Sequence, residues 1–90
     1  MRAKFSESIQ RELTQIYKKD KKLSDRIEKQ IKLFKENPMH PSLRTHKLSA
    51  KQDNLWSISI TMSIRMIYLR IDNDSVVFVK VGTHNEVYRK

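Results

Sequence analysis

The sequence has no cysteine, one glycine and two prolines among its 90 residues. Without cysteine, neither a disulfide framework nor a thiolate metal site can hold the chain together, and the lack of disulfides fits the cytoplasm. No apolar run approaches the roughly 20 residues that a membrane span needs, and the first residues lack the apolar stretch of a signal peptide. We therefore expect one intracellular domain over residues 1–90, with a single small core.

Acidic residues are also scarce, and the formal net charge is +9 because 19 Lys and Arg face 10 Asp and Glu. Residues 1–36 carry 11 basic and 6 acidic groups, and residues 37–90 carry 8 and 4, so the excess is spread over the chain. Such a domain attracts polyanions, namely nucleic acid, an anionic membrane surface or an acidic partner. Mixed charges around "KKDKK" are equally typical of solvated helix surfaces.

Two stretches with apolar residues at helical spacing predict two helices. The first covers residues 6–19, with Ser6 or Ser8 as the residue that caps its start. The second is expected to begin at Ser24 and Asp25 and to end at "NPMHP", because proline disfavours helix at the residue before it. The short connection predicts an antiparallel hairpin, and residues 1–5 can form a short edge strand.

After Pro41 the apolar period changes to two. The stretch "LWSISITM" alternates, which predicts a half-buried strand. One face carries Trp56, Ile58, Ile60 and Met62, and the other carries Ser57, Ser59 and Thr61. "RMIYLRI" predicts a central strand that is apolar on both faces, "DNDS" a turn, and "VVFVKV" a further strand. The fold class is therefore α+β, with an N-terminal antiparallel helical hairpin on a twisted, mainly antiparallel sheet of three to four strands whose other face stays exposed.

The histidines and one arginine are the candidates for chemistry. His40 lies in a loop and is read as structural, and the spacing of His40, His46 and His84 matches no metal motif, so we predict no metal and no cofactor. RNA can be cleaved without metal by a base, an acid and a cation at the phosphate. Histidine suits the first two roles, and Arg65 suits the third. Tyr88 could stack on a base.

Each of these residues also has a purely structural interpretation. Arg65 could pair with Asp53 or Asp74, His46 could bond to the backbone at a strand end, and His84 could cap the turn after the last strand. Taken singly, the structural interpretation is favoured except at Arg65 and His84, where the two are balanced. Taken together with the charge, the set favours RNA chemistry.

The single glycine, Gly82, directly follows the last predicted strand. Because it has no side chain, we expect it to let the chain leave Val81 so that His84 and Tyr88 face the open side of the sheet near Arg65.

Three motifs resemble the RelE/ParE superfamily of bacterial toxin–antitoxin toxins: "HPSLRTHKLSA", "LWSISITMSIRMIY" and "VGTHNEVY". They cover roughly residues 38–88. "GTH" followed by an apolar–aromatic pair is similar to the YafQ-like branch, and "RMIY" is similar to the arginine-containing strand of RelE and YoeB. The resemblance implies a RelE-like fold, a helical hairpin packed on a twisted antiparallel sheet.

The resemblance also implies an activity: a ribosome-dependent, metal-independent endoribonuclease that cuts mRNA in the ribosomal A site and is silenced by a cognate antitoxin protein. His46 and His84 match catalytic histidines of the YafQ-like branch, Arg65 matches the phosphate-binding arginine of the RelE branch, and Tyr88 matches the terminal aromatic residue. It implies no membrane partner and no small-molecule cofactor. The residues expected to bind RNA beside them are Arg44, Lys47, Lys51 and Arg89.

The sequence departs from the family pattern at three serines. Ser57 and Ser59 stand where family members often carry lysine, arginine, aspartate or histidine, and Ser63 replaces an acidic residue of the YafQ-like pattern. Serine supplies neither charge nor a useful pKa. Two alternatives therefore remain beside the nuclease: a ParE-like toxin that inhibits gyrase, and a degenerate member that binds antitoxin or nucleic acid with little catalysis.

Overall fold

The computed structural model describes the backbone of residues 1–49 and 52–88 and the side chains of residues 1–48 and 54–87. In chain order its elements are β1 (Arg2–Phe5), α1 (Glu7–Lys19), α2 (Lys21–Glu36), a 3-10 helix (Pro41–Leu43), β2 (His46–Ser49), β3 (Gln52–Ser59), β4 (Ile64–Arg70), β5 (Ser75–Thr83) and α3 (His84–Tyr88). The predicted α+β class is confirmed. Within this described part, no helix is long and apolar enough to cross a membrane.

The sheet has the strand order β1-β5-β4-β3-β2. β4 is central, as predicted for a strand that is apolar on both faces, and β1 pairs with β5 as the one parallel neighbour. The sheet has five strands, so the expected count of three to four was too low. The strand that was missed is β2, because its four residues "HKLS" show no apolar alternation and are ordered by pairing with β3.

Local capping sets the two long helices. Ser6 caps α1 as predicted, since its Oγ accepts a hydrogen bond from the Ile9 amide at 3.2 Å. The predicted start of α2 at Ser24 was wrong, because the helix begins three residues earlier at Lys21, where Asp20 caps it and accepts from the Leu23 amide at 3.1 Å. Asp20 also donates its own N–H to the Ile16 carbonyl oxygen at the end of α1. The hairpin connection is therefore a single residue.

The core lies between the helical hairpin and one face of the sheet, here called the helix face. At its centre Phe34 of α2 packs on Tyr68 of β4 and Phe78 of β5, with ring centroids 5.0 and 5.3 Å apart. The rings meet at steep interplanar angles, which is the arrangement that aromatic quadrupoles favour. This cluster holds α2 against the two central strands.

β3 ends earlier than its sequence pattern predicts. Ile58 and Ile60 are fully buried in the core as expected, but Met62 is 93% exposed because the chain turns after Ser59. Two side chains of α2 fasten this end of the strand: Gln30 donates to the Ser59 carbonyl oxygen at 3.1 Å and Arg26 donates from Nε to the Ile60 carbonyl oxygen at 2.9 Å. The turn is thus held to the helical layer.

We expect Phe34→Ala to lower the free energy of unfolding by about 3–5 kcal/mol, because it removes the ring shared by both central strands and leaves a cavity. That is a large part of the roughly 5–10 kcal/mol available to so small a domain. Urea denaturation followed by circular dichroism measures the change. Met62→Ala is the matched control and should stay within about 0.5 kcal/mol of the parent; equal losses in the two variants would contradict this core.

Candidate functional site

The sheet face opposite the helical hairpin, here called the open face, carries two rows of side chains. Directly paired residues of neighbouring antiparallel strands point to the same side. The first row, from β2 to β5, is His46, Ser57, Ile67 and Lys80. The second row, from β3 to β5, is Ser59, Arg65 and Gly82. Their chain neighbours Ile58, Met66 and Val81 are buried in the core, so both rows face away from it.

A β-bulge in β5 sets this arrangement. Ile67 pairs with Lys80 but Tyr68 pairs with Phe78, so Val79 is left without a partner in the ladder. The extra residue shifts the alternation, so that both Phe78 and Val81 face the core. Without the bulge Lys80 would lie opposite Met66, inside the core. The bulge therefore directs Lys80 and Gly82 onto the open face.

Arg65 occupies the middle of the second row. It is partly buried, and its Nη1 atom is fully buried with no hydrogen-bond partner in the described part of the chain. A buried charged donor without a partner is costly. Of the two structural partners considered, Asp74 forms no ion pair with Arg65, and the side chain of Asp53 lies outside the described residues. The described residues therefore leave the Nη1 donor of Arg65 unsatisfied.

α3 covers part of the open face. It contacts β4 and β5, and its Val87 is only 6% exposed although it lies outside the main core cluster. Ile67, in the first row, is likewise buried and lies outside the main core cluster. His84 is the first residue of α3 and is exposed. The helix therefore brings His84 to the β5 side of Arg65, while His46 lies on the β2 side.

A capping box fixes the start of α3. The Thr83 amide donates to Glu86 Oε1 at 2.7 Å, and the Glu86 amide donates to Thr83 Oγ1 at 3.3 Å. The Thr83 amide, followed by the Thr83 hydroxyl, holds the pKa of the Glu86 carboxyl below its ordinary value of 4.5. The helix was not predicted from the sequence, although the T-x-x-E spacing in "THNE" is a signal for its start.

Gly82 has a different task from the one expected. It lies inside β5 opposite Arg65, and its φ is not positive, so it makes no turn. A Cβ at this position would lie 2.9 Å from Glu86 Oε1 and 3.1 Å from Glu86 Cβ. The expectation that Gly82 releases the chain from the strand was therefore wrong, because the glycine makes room for the capping carboxylate.

The other predicted site residues are dispersed. The Nδ1 of His46 lies 3.2 Å from the Arg44 carbonyl oxygen, the type of backbone contact that its structural interpretation expected. Lys47 pairs with Trp56, which packs against the core, so Lys47 is on the helix-face side of the sheet edge. Arg44 follows the 3-10 helix with a left-handed φ of 46°. Lys51, Arg89 and the side chain of Tyr88 lie outside the described residues.

Two of the three serines are interior. Ser57 is 0% and Ser59 is 7% exposed, although the sequence pattern placed both on a polar face. Ser63 is exposed in the turn between β3 and β4, where its amide donates to Thr61 Oγ1. The open face thus contains Arg65, Lys80 and His46 as its ionisable side chains within the two rows. Residues 1–48 and 54–87 hold no cluster of three potential metal ligands.

A guanidinium on the open face, with His46 on the β2 side and His84 on the β5 side, is suited to binding and transforming a phosphate ester. A family model described as "Bacterial toxin of type II toxin-antitoxin system, YafQ" matches residues 1–89. The chain belongs to the YafQ toxin family. This confirms the resemblance to the RelE/ParE superfamily. No curated protein sequence matches the chain.

Solved structures of YafQ and YoeB toxins have the same fold as this YafQ-family chain. YafQ in the DinJ–YafQ complex from E. coli superposes with a TM-score of 0.77 at 15% identity, over 98% of this chain and 99% of that one. The YoeB/ParE toxin from Agrobacterium tumefaciens gives 0.76 at 19% identity, over 93% and 99%. The YoeB–YefM complex from Staphylococcus aureus gives 0.74 at 18% identity, over 93% and 97%.

We expect the capping box to weaken in acid. Because the pKa of Glu86 is lowered in the folded protein, its contribution is complete above pH 4.5 and is lost as the pH falls through the folded-state pKa. The chemical shift and exchange rate of the Thr83 amide, followed by NMR, should change in that acid range. Glu86→Gln keeps an acceptor but does not titrate, so its Thr83 amide should not change there; identical curves for the two proteins would contradict the assignment.

We expect Gly82→Ala to displace the Glu86 carboxylate and to expose the Thr83 amide to faster exchange, because the new Cβ meets Glu86 at 2.9 Å. The matched experiment repeats the substitution in a Glu86→Ala background. There the oxygen contact is gone, so most of the loss in unfolding midpoint caused by Gly82→Ala should disappear. Additive losses would show that the glycine is required for another reason.

Proposed function

We propose that this toxin is a ribosome-dependent endoribonuclease that acts in the cytoplasm on mRNA in the ribosomal A site. The observation that supports the proposal most is the buried Nη1 of Arg65 without a partner on the open face. A phosphate oxygen satisfies such a donor with a short, charge-assisted hydrogen bond. The chain's charge of +9 favours the approach of a polyanion.

The proposed reaction uses the RNA's own 2′-hydroxyl. A base removes its proton, the 2′-oxygen forms a bond to the adjacent phosphorus, and the bond from phosphorus to the 5′-oxygen breaks as an acid protonates that oxygen. The products are a 2′,3′-cyclic phosphate and a free 5′-hydroxyl, so atoms and charge balance without metal or water. Arg65 stabilises the additional negative charge on the five-coordinate phosphorus.

The positions of His46 and His84 support an acid–base pair. In-line displacement places the attacking and leaving oxygens on opposite sides of the phosphorus. His46 lies on β2, two strand spacings or about 10 Å from β4, and His84 follows β5 on the other side. A phosphate at Arg65 would thus lie between the two histidines. We propose that one acts as the base and the other as the acid.

The remaining predicted contacts complete the proposal. Tyr88 ends α3, and we propose that it stacks on the base next to the cleaved bond. Arg44, Lys51 and Arg89 would bind phosphates along the RNA strand, and Lys47, on the helix-face side of the sheet edge, would reach a phosphate around that edge. The substrate would lie across the open face, with the lysine and arginine residues at its margins.

We also propose a cognate antitoxin as the protein partner. YoeB from Staphylococcus aureus has been solved with YefM, and YafQ from E. coli with DinJ. The net charge of +9 suits an antitoxin segment rich in acidic residues. Such a segment would neutralise the same surface that attracts RNA.

One observation favours a degenerate member that binds without efficient catalysis. Ser57 and Ser59 are buried on the open face, where the family pattern often has ionisable side chains. Neither hydroxyl can serve as a base near neutral pH. In the nuclease the histidines would then supply all of the acid–base catalysis.

The test expresses the toxin without antitoxin and follows growth and the integrity of translated mRNA. His84→Ala should slow cleavage by about 10²–10⁴-fold, and Arg65→Ala by about 10²–10³-fold, so both should restore growth. Arg11→Ala and His40→Asn are the matched controls, because Arg11 lies on α1 and asparagine can replace His40 as the cap of the 3-10 helix. Both controls should remain toxic.

The other outcomes separate the alternatives. Toxicity that survives both His84→Ala and Arg65→Ala would contradict the mechanism. Filamentation and DNA damage with intact mRNA would indicate the ParE-like gyrase inhibitor. Harmless induction of the unmodified toxin would indicate the degenerate member.

A further inference from the structure

A small cavity of about 100 Å³ lies where β3 ends, beside the second row of the open face. Its lining includes Arg26 of α2, Arg44 after the 3-10 helix, and the hydroxyl residues Ser42 and Thr61. We call it the arginine pocket. Among the described residues its lining contains no carboxylate, so two positive charges and the hydroxyl groups of Ser42, Ser59 and Thr61 surround a space large enough for a tetrahedral anion.

The backbone of the β3–β4 turn holds Arg26 in place. Its Nε donates to the Ile60 carbonyl oxygen at 2.9 Å, which orients the guanidinium plane and leaves its two terminal nitrogens for another acceptor. No acidic side chain in the described residues forms an ion pair with Arg26 or Arg44. A guanidinium oriented by one backbone bond loses little conformational freedom when it binds a phosphate.

Arg44 is held in a strained conformation. Its φ of 46° makes it the one residue other than glycine with positive φ in the described chain. This conformation is unfavourable for a residue with a Cβ and persists only where surrounding contacts enforce it. Here the Arg44 amide donates to the Pro41 carbonyl oxygen at 3.1 Å, and the His46 ring bonds to the Arg44 carbonyl oxygen. The strain places a second arginine at the pocket.

The arginine pocket and the second row of the open face share Ser59. Ser59 lines the pocket and is the direct cross-strand partner of Arg65. We propose that the pocket binds a second backbone phosphate of the RNA strand whose cleaved phosphate lies at Arg65. This inference rests on the proposed RNA substrate and adds a contact that positions the strand without reading its sequence.

The test measures binding of the full-length toxin to a single-stranded RNA that carries 2′-O-methyl groups and cannot be cleaved, at several salt concentrations. Arg26→Gln with Arg44→Gln should weaken binding at least about tenfold and reduce the slope of log K against log salt by about 0.7 for one phosphate. Arg11→Gln with Lys18→Gln removes the same charge from α1 and should change affinity less than about twofold.

A second variant separates binding from folding. Arg44→Gly relieves the strain, so it should raise the unfolding midpoint by a few degrees while still weakening RNA binding. Arg44→Lys keeps the charge but not the two-nitrogen fork, and its affinity should fall between those of the parent and Arg44→Gln. Unchanged affinity in Arg44→Gly would overturn the proposal.

Titration with inorganic phosphate, followed by NMR of the Thr61 and Ser42 amides, distinguishes the source of the phosphate. The Arg26→Gln, Arg44→Gln protein could fail to bind inorganic phosphate and still bind RNA with unchanged affinity and salt slope. In that case the pocket holds free phosphate, and its assignment to an RNA phosphate is wrong. The same variant could lose RNA affinity while translated mRNA stays intact in cells that express the parent toxin. In that case the pocket binds an RNA phosphate, but the proposed nuclease function is wrong.

Discussion

The unpaired Val79 in β5 is the constraint on which the open face depends. It shifts the strand's alternation by one residue, so that Val81 joins Phe78 in the core while Lys80 and Gly82 turn outward. Only then does Gly82 lie beside Arg65, where a Cβ would lie 2.9 Å from Glu86 Oε1 and the carboxylate would have to shift. One extra residue in a strand thus determines the surroundings of the arginine and the path of the chain into α3.

The two arginine sites carry a cost for the fold in different ways. Arg65 has a buried donor without a partner, and Arg44 has an unfavourable backbone conformation. Neither is offset by an ion pair within the described residues. Packing of the helical hairpin and its aromatic cluster on the opposite face of the same sheet stabilises the fold and offsets these costs. The aromatic cluster and the two rows of side chains therefore lie on opposite faces of the sheet.

The features that follow from periodicity could be predicted from the sequence: both long helices, the central position of β4, and Ser6 as a cap. Features that depend on one local interaction, such as a single cap or a single bulge, could not be predicted. Asp20 caps α2 inside a run of lysines, and the bulge at Val79 cannot be distinguished from regular alternation because the residues that lead up to it, "VVFV", are all apolar. Of the candidate site, Arg65 and the histidines were predicted from their chemistry, whereas Arg26 carries no local signal because its hydrogen bond goes to a distant turn.

The parallel pairing of β1 with β5 has a consequence for synthesis of the toxin. Arg2 of β1 pairs with Ser75 of β5, so β1 can pair only after β5, which follows the other strands in the chain, has been made. The helical hairpin can form early from local contacts, but the sheet that carries Arg65 is complete only when β5 has emerged between β1 and β4. The open face that carries Arg65 is therefore not assembled before β5 has been synthesised.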